Sequence, residues 1–204
     1  MSRLGASVVH RVPLKPVFAL VDGAALVLAC LRDQGGDRFL VIASVLMLVA
    51  WQVVENGFLR RRFGGHAYPA YPGQLAWAMA AFAAVLAVSV AERLLTDDRV
   101  PHLVAGLGLA LCGAGIALRL SAFLTLGEEF VRPPGEMRSV VARGPYSVLR
   151  HPAGWGLLAI GVGAALAWGA VWGVVAAGLL LFPSVLYVNA VEERAGNKVG
   201  GWRP

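Results

Sequence analysis

Residues 153–190 read AGWGLLAIGVGAALAWGAVWGVVAAGLLLFPSVLYVNA, and not one of them is charged. A single α-helix over this stretch would be about 57 Å long, whereas the hydrocarbon core of a bilayer is ~30 Å thick. We therefore divide the stretch at Trp168-Gly169. The two parts, residues 153–168 and 169–190, are predicted to form a tight hairpin of two membrane helices.

Four more apolar stretches precede this hairpin. They cover residues 16–31, 39–58, 74–91 and 101–126. About 20 apolar residues cross a bilayer as a helix, and the chain is 58% hydrophobic with only 15% charged residues, which is too apolar for an ordinary soluble domain. The sequence therefore predicts an all-α fold, a polytopic transmembrane bundle of about six helices. Because apolar spans recur to the end of the chain, no cleaved secretory signal is expected.

Basic residues are distributed unevenly between the two sides of the predicted bundle. One side holds Arg3, Arg11, Lys15, Arg60, Arg61, Arg62, Arg132, Arg138, Arg143, Arg150, Arg194, Lys198 and Arg203. The other side holds Arg32, Arg38, Arg93 and Arg99. Since Lys and Arg collect on the cytoplasmic side of a membrane, both termini are predicted to be cytoplasmic. The high content of Ala, Gly, Val and Arg favours a GC-rich bacterial genome, and hence the bacterial inner membrane.

The net charge of +6 raises the question of a nucleic-acid partner. The basic residues, however, lie in short loops beside apolar spans, which is the pattern of cytoplasmic anchoring and of contact with anionic lipids. Membrane lipids are therefore the expected partners, and nucleic acid is not. The two cysteines, Cys30 and Cys112, lie within apolar stretches and are interpreted as small buried hydrophobes.

The second half of the chain is rich in glycine at spacings that let membrane helices approach closely. These glycines are Gly106, Gly108, Gly113, Gly115, Gly161, Gly163, Gly169 and Gly173. We interpret them as packing positions. Polar motifs that could form a site also fall in this half, so the chain is divided into N-terminal helices at residues 1–100 and a core at residues 101–204.

One polar motif of the core is RGPYSVLRHP at residues 143–152. Gly144 and Pro145 favour a turn, and Pro152 suits the first turn of the next helix, where a missing N–H costs nothing. His151 would then lie at the N-terminus of that helix, where backbone N–H groups, with Tyr146 as a further donor, can hold an anionic or polar ligand. An interfacial loop with snorkelling arginines fits the same pattern.

A second polar motif, NAVEER at residues 189–194, ends the last apolar span. Acidic side chains at a helix C-terminus oppose the helix dipole, so local stability does not explain Glu192 and Glu193. Adjacent helical positions point about 100° apart, so one of the two can face the bundle. An inward-facing acid near a membrane surface is a candidate functional residue. The alternative is a solvated helix end paired with Arg194.

Three motifs occur in a fixed order: LGEEF at 126–130, VVARGPYSVLRHPAGWG at 140–156, and VEER at 191–194 after the apolar hairpin. This arrangement, over about residues 106–195, resembles the isoprenylcysteine carboxyl methyltransferase family of integral membrane enzymes, which is related to phospholipid N-methyltransferases. The resemblance implies methyl transfer from S-adenosylmethionine to a lipophilic acceptor. It places the cofactor site of the 101–204 core at the cytoplasmic face, with the acceptor arriving from the bilayer.

The resemblance also implies roles for individual residues. Those implied to line the cofactor site are Gly144, Pro145, Tyr146, Arg150, His151, Pro152, Trp155 and Glu193. Those implied at the reaction centre are Glu193, Asn189 and Glu192. The chemistry agrees, because a cofactor with a sulfonium, an amino group, a carboxylate and an adenine requires an acid, N–H donors and aromatic or apolar walls. No metal site is expected.

The sequence departs from the family pattern at three places. Gly154 stands where the family usually has Tyr, and Asn189 stands where the carboxyl methyltransferases have an Arg that can clamp a carboxylate. The tail AGNKVGGWRP is short, with Trp202 as its one aromatic residue. Of these departures, the one at Asn189 disfavours a carboxylate acceptor, and those at Gly154 and in the tail alter the cofactor site. They also leave two alternatives open: an NADPH-dependent membrane reductase of the related sterol and steroid reductase fold, and a non-catalytic membrane protein that retains the fold.

Overall fold

A computed structural model describes residues 23–24, 36–63, 72–96, 100–127 and 143–198. Within these ranges all regular secondary structure is helical, as the apolar composition predicts. The first predicted span, residues 16–31, falls almost entirely outside the described residues. The other five predicted helices are each observed.

The described residues contain five long helices. They are α1 (Gly36–Phe63), α2 (Pro72–Leu95), α3 (His102–Leu126), α4 (Pro152–Ala167) and α5, which begins at Val171 and ends at Lys198. Their apolar parts coincide with the predicted spans to within a few residues. Three segments are long and apolar enough to cross a membrane: Trp77–Leu95, His102–Leu126 and Val171–Val191. The chain is therefore an integral membrane protein.

Helix α5 consists of three helical segments in direct succession. Val171–Ala176 is α-helical, Ala177–Leu181 is a π-helical turn, and Phe182–Lys198 is α-helical again. The Phe182 N–H donates to the carbonyl of Ala177, five residues back. Pro183 follows at once, and a proline ring would clash with the carbonyl four residues before it in a regular helix. The wider turn accommodates this proline without ending the helix.

A short turn joins α4 to α5, which confirms the predicted hairpin. Gly169 adopts φ +66°, a left-handed conformation that favours glycine, and a side chain there would collide with Val100. The carboxylate of Glu92 on α2 accepts the backbone N–H groups of Val171, Trp172 and Gly173 at 2.9, 2.7 and 3.2 Å. This acid caps the start of α5 and complements its dipole.

Helices α3 and α4 lie almost backbone to backbone because glycines face each other between them. A Cβ atom added at Gly115 would lie 2.8 Å from the Gly156 carbonyl oxygen, and one added at Gly156 would lie 2.8 Å from that of Gly115. Gly108 and Gly163 face each other in the same way, nearer the hairpin turn. The predicted role in packing is thus confirmed for these positions. Gly106, in contrast, has nothing within 4 Å of its added Cβ.

A single buried core joins all five helices and fixes their directions. It includes Leu48, Phe82, Ile160 and Leu181, all fully buried. Cys112 is also buried with a free thiol, in agreement with its predicted structural role, whereas Cys30 lies outside the described residues. Since the helices alternate in direction, the ends of α1, α3 and α5 and the starts of α2 and α4 share one end of the bundle. The hairpin turn lies at the opposite end.

Candidate active site

A 3₁₀ turn at Gly144–Ser147 leads the chain toward α4. Gly144 has φ +58°, and a Cβ added there would lie 2.9 Å from Thr125 Oγ1 at the end of α3, so both conformation and space require glycine. The Ser147 hydroxyl donates to the Gly144 carbonyl oxygen at 2.7 Å. The turn predicted from Gly144 and Pro145 is therefore present, and it rests against α3.

His151 is the residue that immediately precedes the first turn of α4, and Pro152 is the first helical residue. Both positions agree with the sequence-based expectation. Within the described part of the chain, the imidazole of His151 makes no capping hydrogen bond to this helix start. It points instead toward α5, where its side chain is only 14% exposed.

The side chains of His151 and Glu193 meet at this end of the bundle. His151 Nε2 lies 3.2 Å from Glu193 Oε1, and the ring nitrogen donates, because an ionised carboxylate can only accept. Glu193 is 51% exposed, so the carboxylate remains open to solvent on one side. The two polar motifs of the sequence thus come together, as expected. The roles assigned to them remain predictions.

Helices α4 and α5 continue in contact beneath this pair. A Cβ atom added at Gly154 would lie 2.9 Å from Asn189 Oδ1 and 3.0 Å from Val185 Cγ1, so the Asn189 amide occupies the space beside the glycine. Deeper in the bundle, the rings of Trp155 and Phe182 approach with centroids 6.3 Å apart. The contact between α4 and α5 therefore changes in character along the helices. It is formed by aromatic rings deep in the bundle, by an amide above them, and by a charged side chain near the membrane surface.

Asn189 is the buried polar member of this contact. Its side chain is 8% exposed, and it lies one helical turn before Glu193, on the same side of α5. The two positions that depart from the family pattern, Gly154 and Asn189, are in direct contact. A larger side chain at residue 154 would displace the amide, so the two departures form one local change of the site.

The other predicted site residues lie around this contact with different exposure. Pro145 and Tyr146 are half-buried in the 3₁₀ turn, and Arg150 is exposed immediately before His151. Glu192 lies in the same helical turn as Glu193, but its side chain is outside the described part of the chain. Trp202 is also outside it. Their predicted roles stay predictions.

Sequence reasoning missed one buried polar group beside the site, Arg119 of α3. Its guanidinium donates to both carboxylate oxygens of Glu55 on α1, each at 2.9 Å, and to the Ala153 carbonyl oxygen on α4 at 2.9 Å. Both partners of this ion pair are almost fully buried. A signal was available, because one acid and one base within separate apolar spans usually pair.

The arrangement combines an accessible carboxylate, an imidazole, a buried amide and aromatic rings at one end of a membrane bundle. A family model described as phospholipid methyltransferase matches residues 103–199, which contain the whole of this contact between α4 and α5. Comparisons with curated proteins and with solved structures gave no significant match. Over residues 103–199 this chain is therefore similar to the phospholipid methyltransferase family of integral membrane enzymes, which is related to the isoprenylcysteine carboxyl methyltransferases that the sequence resembles.

Proposed function

We propose that this chain transfers a methyl group from S-adenosylmethionine to a lipophilic acceptor at the cytoplasmic face of the membrane. The observation that carries the proposal is the 3.2 Å contact between His151 and Glu193. It joins two motifs that are distant in sequence into one cluster of polar side chains at a single end of the bundle. The family match to methyltransferases supports the type of reaction.

The residues around this contact fit the chemistry of S-adenosylmethionine. The Glu193 carboxylate suits the positively charged sulfonium and amino groups. The backbone N–H groups at the start of α4 and the His151 imidazole suit a carboxylate, and Trp155 offers an aromatic wall. Pro145, Tyr146 and Arg150, in the approach to α4, would complete the binding surface. In combination these features provide a partner for each part of the cofactor.

When bound, S-adenosylmethionine supplies a methyl group on a positively charged sulfur, which leaves as a neutral thioether. The protein then has to align donor and acceptor and to exclude water. In this proposal Glu193 accepts the proton that a hydroxyl or amine acceptor loses as its oxygen or nitrogen bonds to the methyl carbon. Its hydrogen bond to His151 orients the carboxylate for this task.

The acceptor is proposed to be a neutral or basic lipid group and not a carboxylate. Asn189 is an uncharged amide at the buried level of the site, and an amide does not clamp a carboxylate as a guanidinium does. Next to it, α5 exposes Phe182, Leu186 and Tyr187 on the surface of the bundle. Such a surface suits an acceptor that approaches from the hydrocarbon layer.

The site end of the bundle is proposed to face the cytoplasm of a bacterium. Arg143, Arg150 and Arg194 are exposed at this end, in keeping with the excess of basic residues on the cytoplasmic side of membrane proteins. The same side chains would contact anionic lipid headgroups. A reporter enzyme that is active only in the cytoplasm, fused to either terminus, would test this orientation.

Titration of the purified protein with S-adenosylmethionine and, separately, with NADPH tests the proposed function. Micromolar binding of S-adenosylmethionine, followed by a methylated lipid found by mass spectrometry only in membranes that contain the protein, is the expected result. Binding of NADPH alone would establish the reductase alternative. Binding of neither ligand would leave a membrane protein that retained the fold without the activity.

A further inference from the structure

A buried ion pair links the N-terminal helices to the site. Glu55 of α1 is 6% exposed and Arg119 of α3 is 2% exposed. The guanidinium holds both oxygens of the carboxylate in a bidentate contact, at 2.9 Å each. Glu55 lies outside the residues that match the family model, which begin at 103. The contact therefore joins α1 to the matched domain.

The third hydrogen bond of Arg119 reaches the first turn of α4. Its Nη1 donates to the Ala153 carbonyl oxygen at 2.9 Å, two residues after His151 and one before Gly154. A Cβ added at Gly156 would lie 2.8 Å from Arg119 Cβ, so α4 also rests directly on the stem of this arginine. The guanidinium thus holds the part of α4 that presents His151.

Aromatic rings fix the orientation of the guanidinium. The Arg119 Cζ lies 4.8 Å from the centroid of the Phe123 ring and 5.8 Å from that of Trp51, both within the range of a cation–π contact. Together with the bidentate carboxylate, these rings leave the planar group little freedom. A lysine would lack the planar fork that makes such an arrangement possible.

Stability alone is a weak reason for such a pair. Removing two charges from water has a desolvation cost that often matches their attraction, and replacing a buried pair by apolar residues is frequently neutral or stabilising. A geometric role accounts better for a guanidinium that binds the Glu55 carboxylate through two hydrogen bonds and the first turn of α4 through the third.

We propose that Arg119, oriented by Glu55, is a positioning residue for the active site: through the Ala153 carbonyl it sets the angle at which α4 presents His151 to Glu193. This inference rests on the proposed cofactor site. It assigns a role in that site to α1, which the sequence analysis left without one. Neither residue is placed in contact with cofactor or acceptor.

The test uses the double variant E55L/R119M of the full-length protein, which removes both charges together and avoids leaving one buried alone. We expect the melting temperature to stay within about 4 °C of wild type and the Kd for S-adenosylmethionine to rise at least tenfold. The milder variant R119K keeps the charge but loses the fork, and should raise the Kd severalfold. If the double variant does not fold, R119K decides the question alone.

Ser44→Ala is the matched control. Ser44 lies on the same helix as Glu55, is buried, and accepts a hydrogen bond from Trp168 Nε1 at 2.7 Å, at the hairpin-turn end of the bundle. Loss of this hydrogen bond should lower the melting temperature and leave the Kd for S-adenosylmethionine within twofold of wild type. If the increase in Kd is proportional to the loss of melting temperature across all variants, Arg119 has only a structural role and the proposal is overturned.

A second measurement does not depend on the cofactor. The ring ¹⁵N resonances of labelled histidine, assigned to His151 by their loss in His151→Ala, report the contact with Glu193 directly. We expect them to shift in E55L/R119M and R119K and to stay unchanged in Ser44→Ala. Unchanged resonances in the Arg119 variants would overturn the positioning role, whether or not wild type binds S-adenosylmethionine. A failure of cofactor binding in wild type, with shifted resonances, would overturn only the proposed function.

Discussion

His151 Nε2 lies 3.2 Å from Glu193 Oε1, although 42 positions of sequence separate the two residues. The contact exists because the hairpin turn at Gly169 returns α5 along α4, so that the end of one helix meets the beginning of the other. A histidine before a helix and an acid at the end of another would each be unremarkable alone. Their contact, within the residues that match the phospholipid methyltransferase model, is the reason for proposing a common function.

His151→Ala should weaken binding of S-adenosylmethionine at least tenfold, about 1.4 kcal/mol. The substitution removes both a donor at the start of α4 and the partner that orients Glu193. Isothermal titration of the purified protein measures the effect. His102→Ala is the control, because His102 is exposed at the opposite end of the bundle, at the start of α3. Equal losses of affinity for S-adenosylmethionine in the two variants would contradict a local role for His151.

Asn189→Arg should extend activity to a lipid carboxylate. The guanidinium would supply the bidentate partner that the amide cannot, and the base of the new side chain would take the space beside Gly154 that the amide now occupies. The measurement is methyl ester formation on a prenylated or fatty carboxylate, followed with radiolabelled cofactor. Asn189→Asp places a negative charge at the same position and should show no gain. Ester formation by the Asp variant would refute the explanation by charge.

Gly108→Ala should destabilise the protein by about 1–3 kcal/mol, the usual range for overpacking. Its added Cβ would lie 2.7 Å from the Gly163 carbonyl oxygen, so α3 and α4 would have to separate. Gly106→Ala, two residues away on the same helix, meets nothing within 4 Å and should be neutral or slightly stabilising. Thermal unfolding in detergent compares them. A larger loss in Gly106→Ala would refute the observed contact between α3 and α4.

Glu92→Ala should lower stability by roughly 1–2 kcal/mol, the usual loss when a helix cap is removed, without weakening cofactor binding. The carboxylate accepts three backbone N–H groups at the start of α5, but it lies at the hairpin-turn end, far from Glu193. Thermal unfolding and cofactor titration of one preparation give both values. A strong loss of affinity at unchanged stability would contradict the assignment of the site to the other end of the bundle.

Much of the fold could be predicted from the sequence because membrane helices leave a simple pattern. Long apolar stretches bounded by charges marked α1 to α5, and the length of residues 153–190 required the turn at Gly169. Glycine content indicated close packing, but it did not identify the partners. Gly108 and Gly115 face α4 whereas Gly106 does not, since only a three-dimensional arrangement decides which side of a helix is covered.

Part of the candidate site could also be predicted from sequence. The turn at Gly144, the helix start at Pro152 and the meeting of the two polar motifs followed from proline and glycine chemistry and from the hairpin. The Glu55–Arg119 pair did not, because its members lie in different spans and neither belongs to a motif. The contact between Gly154 and Asn189 was equally hidden, since it depends on the register of α4 against α5.

We propose that His151 and Glu193 act together on one bound S-adenosylmethionine. Titration of wild type, His151→Ala, Glu193→Ala and the double variant tests it most directly. We expect affinity to fall at least tenfold in each single variant, and the combined loss to be smaller than the product of the two, because the residues form one contact. Wild-type affinity in either single variant, or two losses that multiply in full, would contradict it.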